Sequence, residues 1–150
     1  MRYWGLNDKP ETERADFIIK TFGPSFEGRI LDIGCGDGSI LFKIHQAMPK
    51  AQCIGIDIDE NENWRHWTGV QFEKIDVMEK IKENKLYDIV IMLNSFRNWN
   101  SPDREKFVNW LDDNTKYFIT STNLPYRKSV IGKDFYNVDM ELYLINYPQW

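Results

Sequence analysis

Asp32, Gly34, Gly36 and Gly38 stand at alternate positions in the stretch 29–39, RILDIGCGDGS, and carry most of the chemistry this sequence offers. Glycines at that spacing let the backbone take positive φ and let a ligand approach closer than a Cβ would permit. Free N–H groups at the start of a following helix point into the same space. Roughly twenty residues beyond the turn, the apolar run 53–56 finishes in Asp57, where a carboxylate can accept hydrogen bonds from two ribose hydroxyls. The pattern describes a nucleoside held across the carboxyl ends of two neighbouring parallel strands.

Those residues need elements to position them. Residues 30–33 read as a short buried strand, and Ile40, Leu41, Ile44 and Met48 give the helix that leaves the turn, over 39–48, one apolar face. Residues 59–67 are expected to form a short helix with an acidic start, Trp64 and Trp67 packing inward, and 70–75 a third strand closed by Asp76 and Val77. Asp76 is a natural cap for a helix over 78–84. The continuous apolar run YDIVIML, 87–93, is a strand of the kind a parallel sheet buries on both faces. Ser101 and Pro102 open a helix carrying Phe107, Val108 and Leu111, and 117–121 make a fifth strand. Ahead of the first strand, Pro10 sits in the first turn of a helix whose face is Ala15, Ile18, Ile19 and Phe22, stopped by Gly23-Pro24. Residues 1–9 read as an irregular arm whose Tyr3 and Trp4 are expected to pack loosely on the sheet edge.

Two cofactor classes fit such a turn. The dinucleotide fingerprint GxGxxG wants glycine or alanine where this chain has Ser39. The segment Asp32-Ile-Gly34-Cys-Gly36-Asp-Gly38 instead resembles the first motif of class I S-adenosylmethionine-dependent methyltransferases, (D/E)xGxGxG, at every fixed position. The resemblance implies an α/β fold: a doubly wound, mostly parallel sheet with helices on both faces, of the Rossmann-like methyltransferase kind. It implies S-adenosyl-L-methionine as cofactor and S-adenosyl-L-homocysteine as product. Its cofactor-binding residues would be Asp32, Gly34, Cys35, Gly36, Gly38, Asp57, Ile58, Asp76, Val77, Leu93 and Asn94. Asp76 would meet the adenine amino group and Val77 the ring. Tyr3 and Trp4, unless they only pack on the sheet edge, would form part of a lid over the cofactor. Groups acting on the acceptor would stand just after the fourth strand, with Asn94 and Arg97 as catalytic candidates, Trp99 beside them, and Tyr126, Arg127, Lys128 and Lys133 as a rim. No general base is assigned. A glycine turn that merely links strand and helix remains the structural alternative.

The tail departs from that family. Residues 124–150 hold no periodic helix of ten residues before a strand pattern at 138–145, so a trimmed C-terminal part is expected, with an antiparallel strand or hairpin. Residues 123–126, NLPY, match a tetrapeptide of adenine-modifying methyltransferases, but here it follows the fifth strand rather than the fourth; a proline turn is the simpler account, and a nucleic-acid amine methyltransferase stays open as a lesser alternative.

Composition narrows the function classes. The chain has 150 residues, 42% hydrophobic and 28% charged, which fits one domain, residues 1–150, of an ordinary globular kind. No apolar run is long enough to span a membrane and the opening MRYWGLNDK is too polar for a secretion signal, so a cytoplasmic location is expected. The net charge of −4 argues against duplex nucleic acid and for a small molecule or protein side chain as acceptor. Cys35 and Cys53 are expected reduced, and with only His45 and His66 beside them there is no metal site. Asp57, Asp59, Asn61 and Asn63 alternate as in a calcium loop, but Glu62 and Thr68 occupy the places of its glycine and glutamate. A non-catalytic S-adenosylmethionine-binding module or partner subunit, and a nicotinamide oxidoreductase, stay open as alternatives. The apolar tail strand would suit a homodimer.

Overall fold

The apolar runs assemble into one parallel sheet. The structure, a computed structural model, describes residues 2–5, 10–93 and 101–120. Within them the order is β1 (Arg2–Gly5), α1 (Glu11–Phe22), β2 (Arg29–Ile33), α2 (Ser39–Ala47), β3 (Gln52–Asp57), β4 (Gln71–Lys74), α3 (Val77–Lys80), β5 (Tyr87–Met92), α4 (Ser101–Asn114) and β6 (Thr115–Thr120). The six strands lie in the order β1-β6-β5-β2-β3-β4, every pairing parallel.

The chain winds outward from β2 in both directions. From β2 it steps to β3 and β4; it then returns to the other side of β2 with β5 and continues to β6. Right-handed crossovers that travel in opposite directions put α2 and α4 on opposite faces of the sheet. Ligands of such folds sit at the carboxyl ends of the strands where the direction reverses, here between β2 and β5. The three central strands are buried on both faces: Ile30, Leu31, Ile89, Val90 and Ile91 have no exposed surface, and Cys53, Ile54 and Ile56 are buried beside them. Leu41 and Ile44 of α2 close one face with Ala15 and Ile18 of α1, while Phe107 and Leu111 of α4 close the other with Phe118.

Several boundaries differ from the expectations. The arm is not wholly irregular: β1 pairs with β6, Arg2 opposite Tyr117 through Gly5 opposite Thr120, because β6 otherwise leaves an unpaired parallel edge. Pro10 stands just before α1 rather than inside it, its carbonyl accepting from Arg14 N–H at 3.0 Å. The helix expected over 59–67 is a 3-10 helix at Glu62–His66, and its cap is Asn61, which accepts from Asn63 N–H at 2.9 Å. Asp59 lies ahead of the helix start, in the turn where its N–H donates to Asp57 Oδ1 at 3.2 Å. The helix expected over 78–84 divides into α3 and a 3-10 turn at Ile81–Glu83, ended by Asn84 at φ 52°. β6 begins two residues earlier than expected, directly from α4. The C-terminal strand pattern, NLPY and the basic rim lie outside the described residues.

Two polar contacts fix the sheet's amino-terminal edge. Asp88 accepts from Arg29 N–H at 2.8 Å and pairs with Lys116 at 3.1 Å, tying β5 to β2 and β6. Burial works to raise the Asp88 pKa, but the Arg29 N–H and Lys116 outweigh it and hold the carboxyl below its usual value. The buried Lys80 pairs with Glu73 at 3.3 Å and Glu83 at 3.0 Å, joining α3 to β4.

Candidate functional site

β2, β3 and β5 end together, and their ends enclose a cavity of about 540 Å³ lined by Asp32, Gly34, Cys35, Gly36, Asp37, Ser39, Ile40, Asp57 and Leu93. That is the size of a small-molecule site. β2 delivers Asp32 to its floor, almost wholly buried at 5% exposure. Parallel register sets Ile33 opposite Ile56, so the residues that follow, the glycine turn and Asp57, arrive side by side. Leu93 comes from the end of β5 and is buried; its carbonyl accepts from Arg14 Nη1 of α1 at 3.3 Å.

The turn is held from within and from behind. Gly34 N–H and Cys35 N–H both donate to Ile56 O, at 2.9 and 3.0 Å, which seats the turn on β3. Gly36 N–H donates to Asp57 Oδ2 at 2.9 Å, while Asp57 Oδ1 accepts from Asp59 N–H. A carboxylate offers about four acceptor sites, so Asp57 retains capacity for two further donors. Asp37 Oδ1 accepts from Ser39 N–H at 2.9 Å and Ser39 Oγ at 2.8 Å, an Asx arrangement that opens α2. Behind the turn, Trp64 Nε1 donates to Gly36 O at 2.8 Å and Trp67 Nε1 to Asp37 O at 2.6 Å. Trp64 stacks on Phe72 with centroids 5.0 Å apart, and Trp67 on Phe42 at 4.9 Å.

Gly38 answers to this aromatic backing. It has φ +83°, and a Cβ there would lie 2.6 Å from the Phe72 ring and 2.9 Å from Trp67. Gly55 on β3 is constrained in the same way, by Cys35 Sγ and Phe72. Cys35 and Cys53 are both free thiols. Burial, with Asp32, Asp57 and Asp37 nearby, pushes the Cys35 thiol far above its ordinary pKa; burial, then Asp32, pushes Cys53 up to about 12. Neither is a nucleophile at neutral pH.

Of the residues singled out in the sequence, Asp32, Gly34, Cys35, Gly36, Asp57 and Leu93 meet around the cavity. Gly38 stands behind it as the N-cap of α2. Asp76 caps α3, accepting from Met78 N–H at 2.8 Å, with Val77 buried next to it, and neither lines the cavity. Ile58 follows Asp57 and is 62% exposed, unusual for an apolar side chain of that size here. Asn94 and Arg97 lie outside the described residues. Sequence reading missed Asp37, Ser39 and Ile40 as lining; Asp37 and Ser39 carried a usable signal, an Asp two residues before a Ser at a helix start. The indole hydrogen bonds to the turn had no local signal, since 28 and 30 residues separate the partners.

The charge of the lining separates the two cofactor classes. Among the described residues, three carboxylates and no lysine or arginine face the cavity. A dinucleotide's pyrophosphate would be repelled there, whereas a sulfonium and an ammonium would be attracted. Residues 30–116 match the family profile described as Methyltransferase domain. The chain belongs to the S-adenosylmethionine-dependent methyltransferase family of class I. It is 28% identical over 100 residues to the protein-lysine N-methyltransferase EFM4 of Saccharomyces cerevisiae, a match that covers 59% of this chain and 44% of the yeast protein. The chain thus spans less than half of that curated relative. Among solved structures it is similar to the 1,6-didemethyltoxoflavin-N1-methyltransferase of Burkholderia thailandensis, with bound 1,6-didemethyltoxoflavin and S-adenosylhomocysteine. The TM-score is 0.57 at 15% identity, over 75% of this chain and 52% of that one. It is also similar to PKMT2 of Rickettsia typhi in complex with AdoHcy, with a TM-score of 0.51 at 19% identity over 73% of this chain and 23% of that one. These likenesses bear on the fold.

Proposed function

We propose that this chain binds S-adenosylmethionine at the ends of β2, β3 and β5 and transfers its methyl group to a small molecule or a protein side chain. The observation that carries the proposal is the cavity lining, acidic at Asp32, Asp37 and Asp57 and, among the described residues, free of cationic side chains. Bound there, S-adenosylmethionine supplies a methyl group already activated by its sulfonium and leaves as S-adenosylhomocysteine. Asp57, held by two backbone N–H groups, accepts the two ribose hydroxyls. Asp32 provides negative charge at the floor for the cationic end, and Leu93 walls it off. Exposed Ile58 covers one face of the adenine, with Asp76 and Val77 at its edge. The chain's main contribution to rate is alignment of the acceptor with the methyl group, a term worth up to about 7–11 kcal/mol in well-oriented systems. Asn94 and Arg97, which follow β5, are the groups we assign to the acceptor side.

An amine acceptor, a protein lysine in particular, is favoured by the yeast relative, itself a protein-lysine N-methyltransferase. Residues 1–150 as one domain, a cytoplasmic location and completion by a partner subunit or second copy belong to the same proposal. The one six-stranded sheet among the described residues supports the first and the two free thiols support the second. Among the described residues no helix is long and apolar enough to cross a membrane.

Calorimetric titration with S-adenosylmethionine, S-adenosylhomocysteine and NAD tests the cofactor. Micromolar binding of the two sulfur nucleosides and none of NAD is expected. Binding of NAD alone, or of none of the three, overturns the assignment. Release of S-adenosylhomocysteine in the presence of lysine-bearing peptides then tests the acceptor, and a protein that binds but never turns over with any acceptor is a binding module.

A further inference from the structure

Trp64 and Trp67 do more than fill space behind the turn. Each spends its one polar atom, the indole N–H, on a backbone carbonyl of the glycine loop: Trp64 on Gly36 O and Trp67 on Asp37 O. Each ring is fixed by a stacked partner on another element, Phe72 of β4 and Phe42 of α2, with planes 9° and 29° apart. Neither indole lines the cavity, while Gly36 and Asp37 both do. Three successive peptide units are therefore pinned, the one before Gly36 by its N–H to Asp57 and the next two by their carbonyls to the indoles.

In a trans peptide the C=O and the N–H point in opposite directions. Drawing Gly36 O toward Trp64 turns the Asp37 N–H away from it. That N–H has no hydrogen-bond partner among the described residues, whereas the next one, of Gly38, is satisfied by Cys35 O at 3.0 Å. We infer that Trp64 and Trp67 are positioning residues, which hold the carbonyls of Gly36 and Asp37 out of the cavity and aim the Asp37 N–H at an oxygen acceptor of the bound nucleoside. A loop of three glycines at positive φ has a wide choice of peptide orientations, and a carbonyl flipped inward would add one more acceptor to a cavity that already holds three carboxylates. The indoles remove that choice before the ligand arrives, and binding then does not have to supply the ordering.

The inference rests on the cofactor reading above, and its test keeps the two apart. Trp64→Phe and Trp67→Phe retain the stacked ring and delete only the donor N–H. Both are measured with S-adenosylhomocysteine by calorimetry, with melting temperature as the control for folding. The spectroscopic readout is the 15N-labelled amide signals of Gly36, Asp37 and Gly38. We expect each variant to bind about fivefold more weakly, the order of one lost hydrogen bond, with a melting temperature close to wild type. The three loop amides should shift or broaden in the unliganded protein, while amides of β5 and α4 stay in place. A purely structural tryptophan would lower melting temperature and disturb amides generally. Wild-type affinity in both variants, or loop amides that do not move, overturns the inference while leaving the cofactor reading intact. If one variant fails to fold, the other decides. Failure of the wild-type chain to bind S-adenosylhomocysteine overturns the cofactor reading and this inference with it.

Discussion

Removing the carboxylate of Asp57 is the sharpest test of the site. In the free protein Asp57 accepts from Gly36 N–H at 2.9 Å and Asp59 N–H at 3.2 Å, so each oxygen has one lone pair left for a ribose hydroxyl. Hydrogen bonds to a charged acceptor are worth about 1.5–3 kcal/mol each, so losing two costs about 3–6 kcal/mol. At about 1.4 kcal/mol per factor of ten, that range spans roughly a hundredfold to ten-thousandfold in affinity. Asp57 is half-buried, and solvent competition favours the lower end. We therefore expect Asp57→Ala to weaken S-adenosylhomocysteine binding about a hundredfold by calorimetry. Asp57→Asn keeps one acceptor oxygen and should weaken it about tenfold. Melting temperature should fall modestly in both, since Gly36 and Asp59 can turn their N–H groups to water. An Asp57→Ala protein that binds within threefold of wild type would refute the ribose assignment and the reasoning from strand ends behind it.

Other perturbations test the scaffold. Gly38→Ala forces a Cβ to within 2.6 Å of Phe72 at φ +83°, and should cost about 1–3 kcal/mol in urea unfolding; an unchanged midpoint would mean that the aromatic backing is loose. Cys35 and Cys53, with thiols pushed up by burial and, less strongly, by nearby carboxylates, should resist alkylation at pH 8 until the protein unfolds, and rapid labelling of native protein would contradict this. Asp88 has a folded-state pKa below its unfolded value, so the stability it lends is complete at neutral pH, above the unfolded pKa, and is lost as pH falls through the folded one. Asp88→Asn should accordingly lower stability at pH 7 and flatten the acid limb of the stability profile below about pH 4, whereas an unchanged acid limb would remove Asp88 from the account. Lys80→Ala leaves Glu73 and Glu83 without their shared, buried cation, and should destabilise by more than Lys80→Met, which keeps the packing of the stem; equal losses would assign the effect to charge alone.

Much of this site was legible in the sequence because its parts are local. The apolar runs of β2, β3 and β5 declare themselves as doubly buried strands, and the motif between β2 and α2 lies within a dozen residues. Parallel register does the rest, bringing the end of β3 beside the glycine turn and so carrying Asp57 to Gly36. What stayed hidden depends on distance along the chain. β1 forms only because β6 offers an edge more than a hundred residues away, and nothing in residues 2–5 announces a strand. The 3-10 helix starts at Glu62, capped by Asn61, because the chain first turns after β3 with the Asp59 N–H on the Asp57 carboxylate, and where that turn ends is visible only once the fold exists. The indoles that hold the turn gave a hydrophobic signal but no sign of what their N–H groups would meet.

The same distinction explains why the cofactor class can be argued further than the acceptor. Among the described residues, every cavity residue but Leu93 comes from the ends of β2 and β3 or from the turn and first residues of α2 that follow β2, whose course is set by the parallel pairing of those strands. The negative charge of that lining follows from Asp32, Asp37 and Asp57, and it discriminates between a cationic sulfonium ligand and an anionic dinucleotide without reference to any partner. On the function proposed above, an acceptor is recognised by residues that follow Leu93 in the chain, Asn94 and Arg97 among them. Methyl transfer from a sulfonium asks little of those residues chemically, since alignment carries much of the barrier lowering. A base is needed only for an acceptor that must lose its proton early, so different acceptors leave different traces there while the site for the cofactor stays the same. It follows that exchanging residues beyond β5 should change which nucleophile is methylated, whereas exchanging Asp57 or the glycine turn should weaken cofactor binding by the same factor whatever the acceptor.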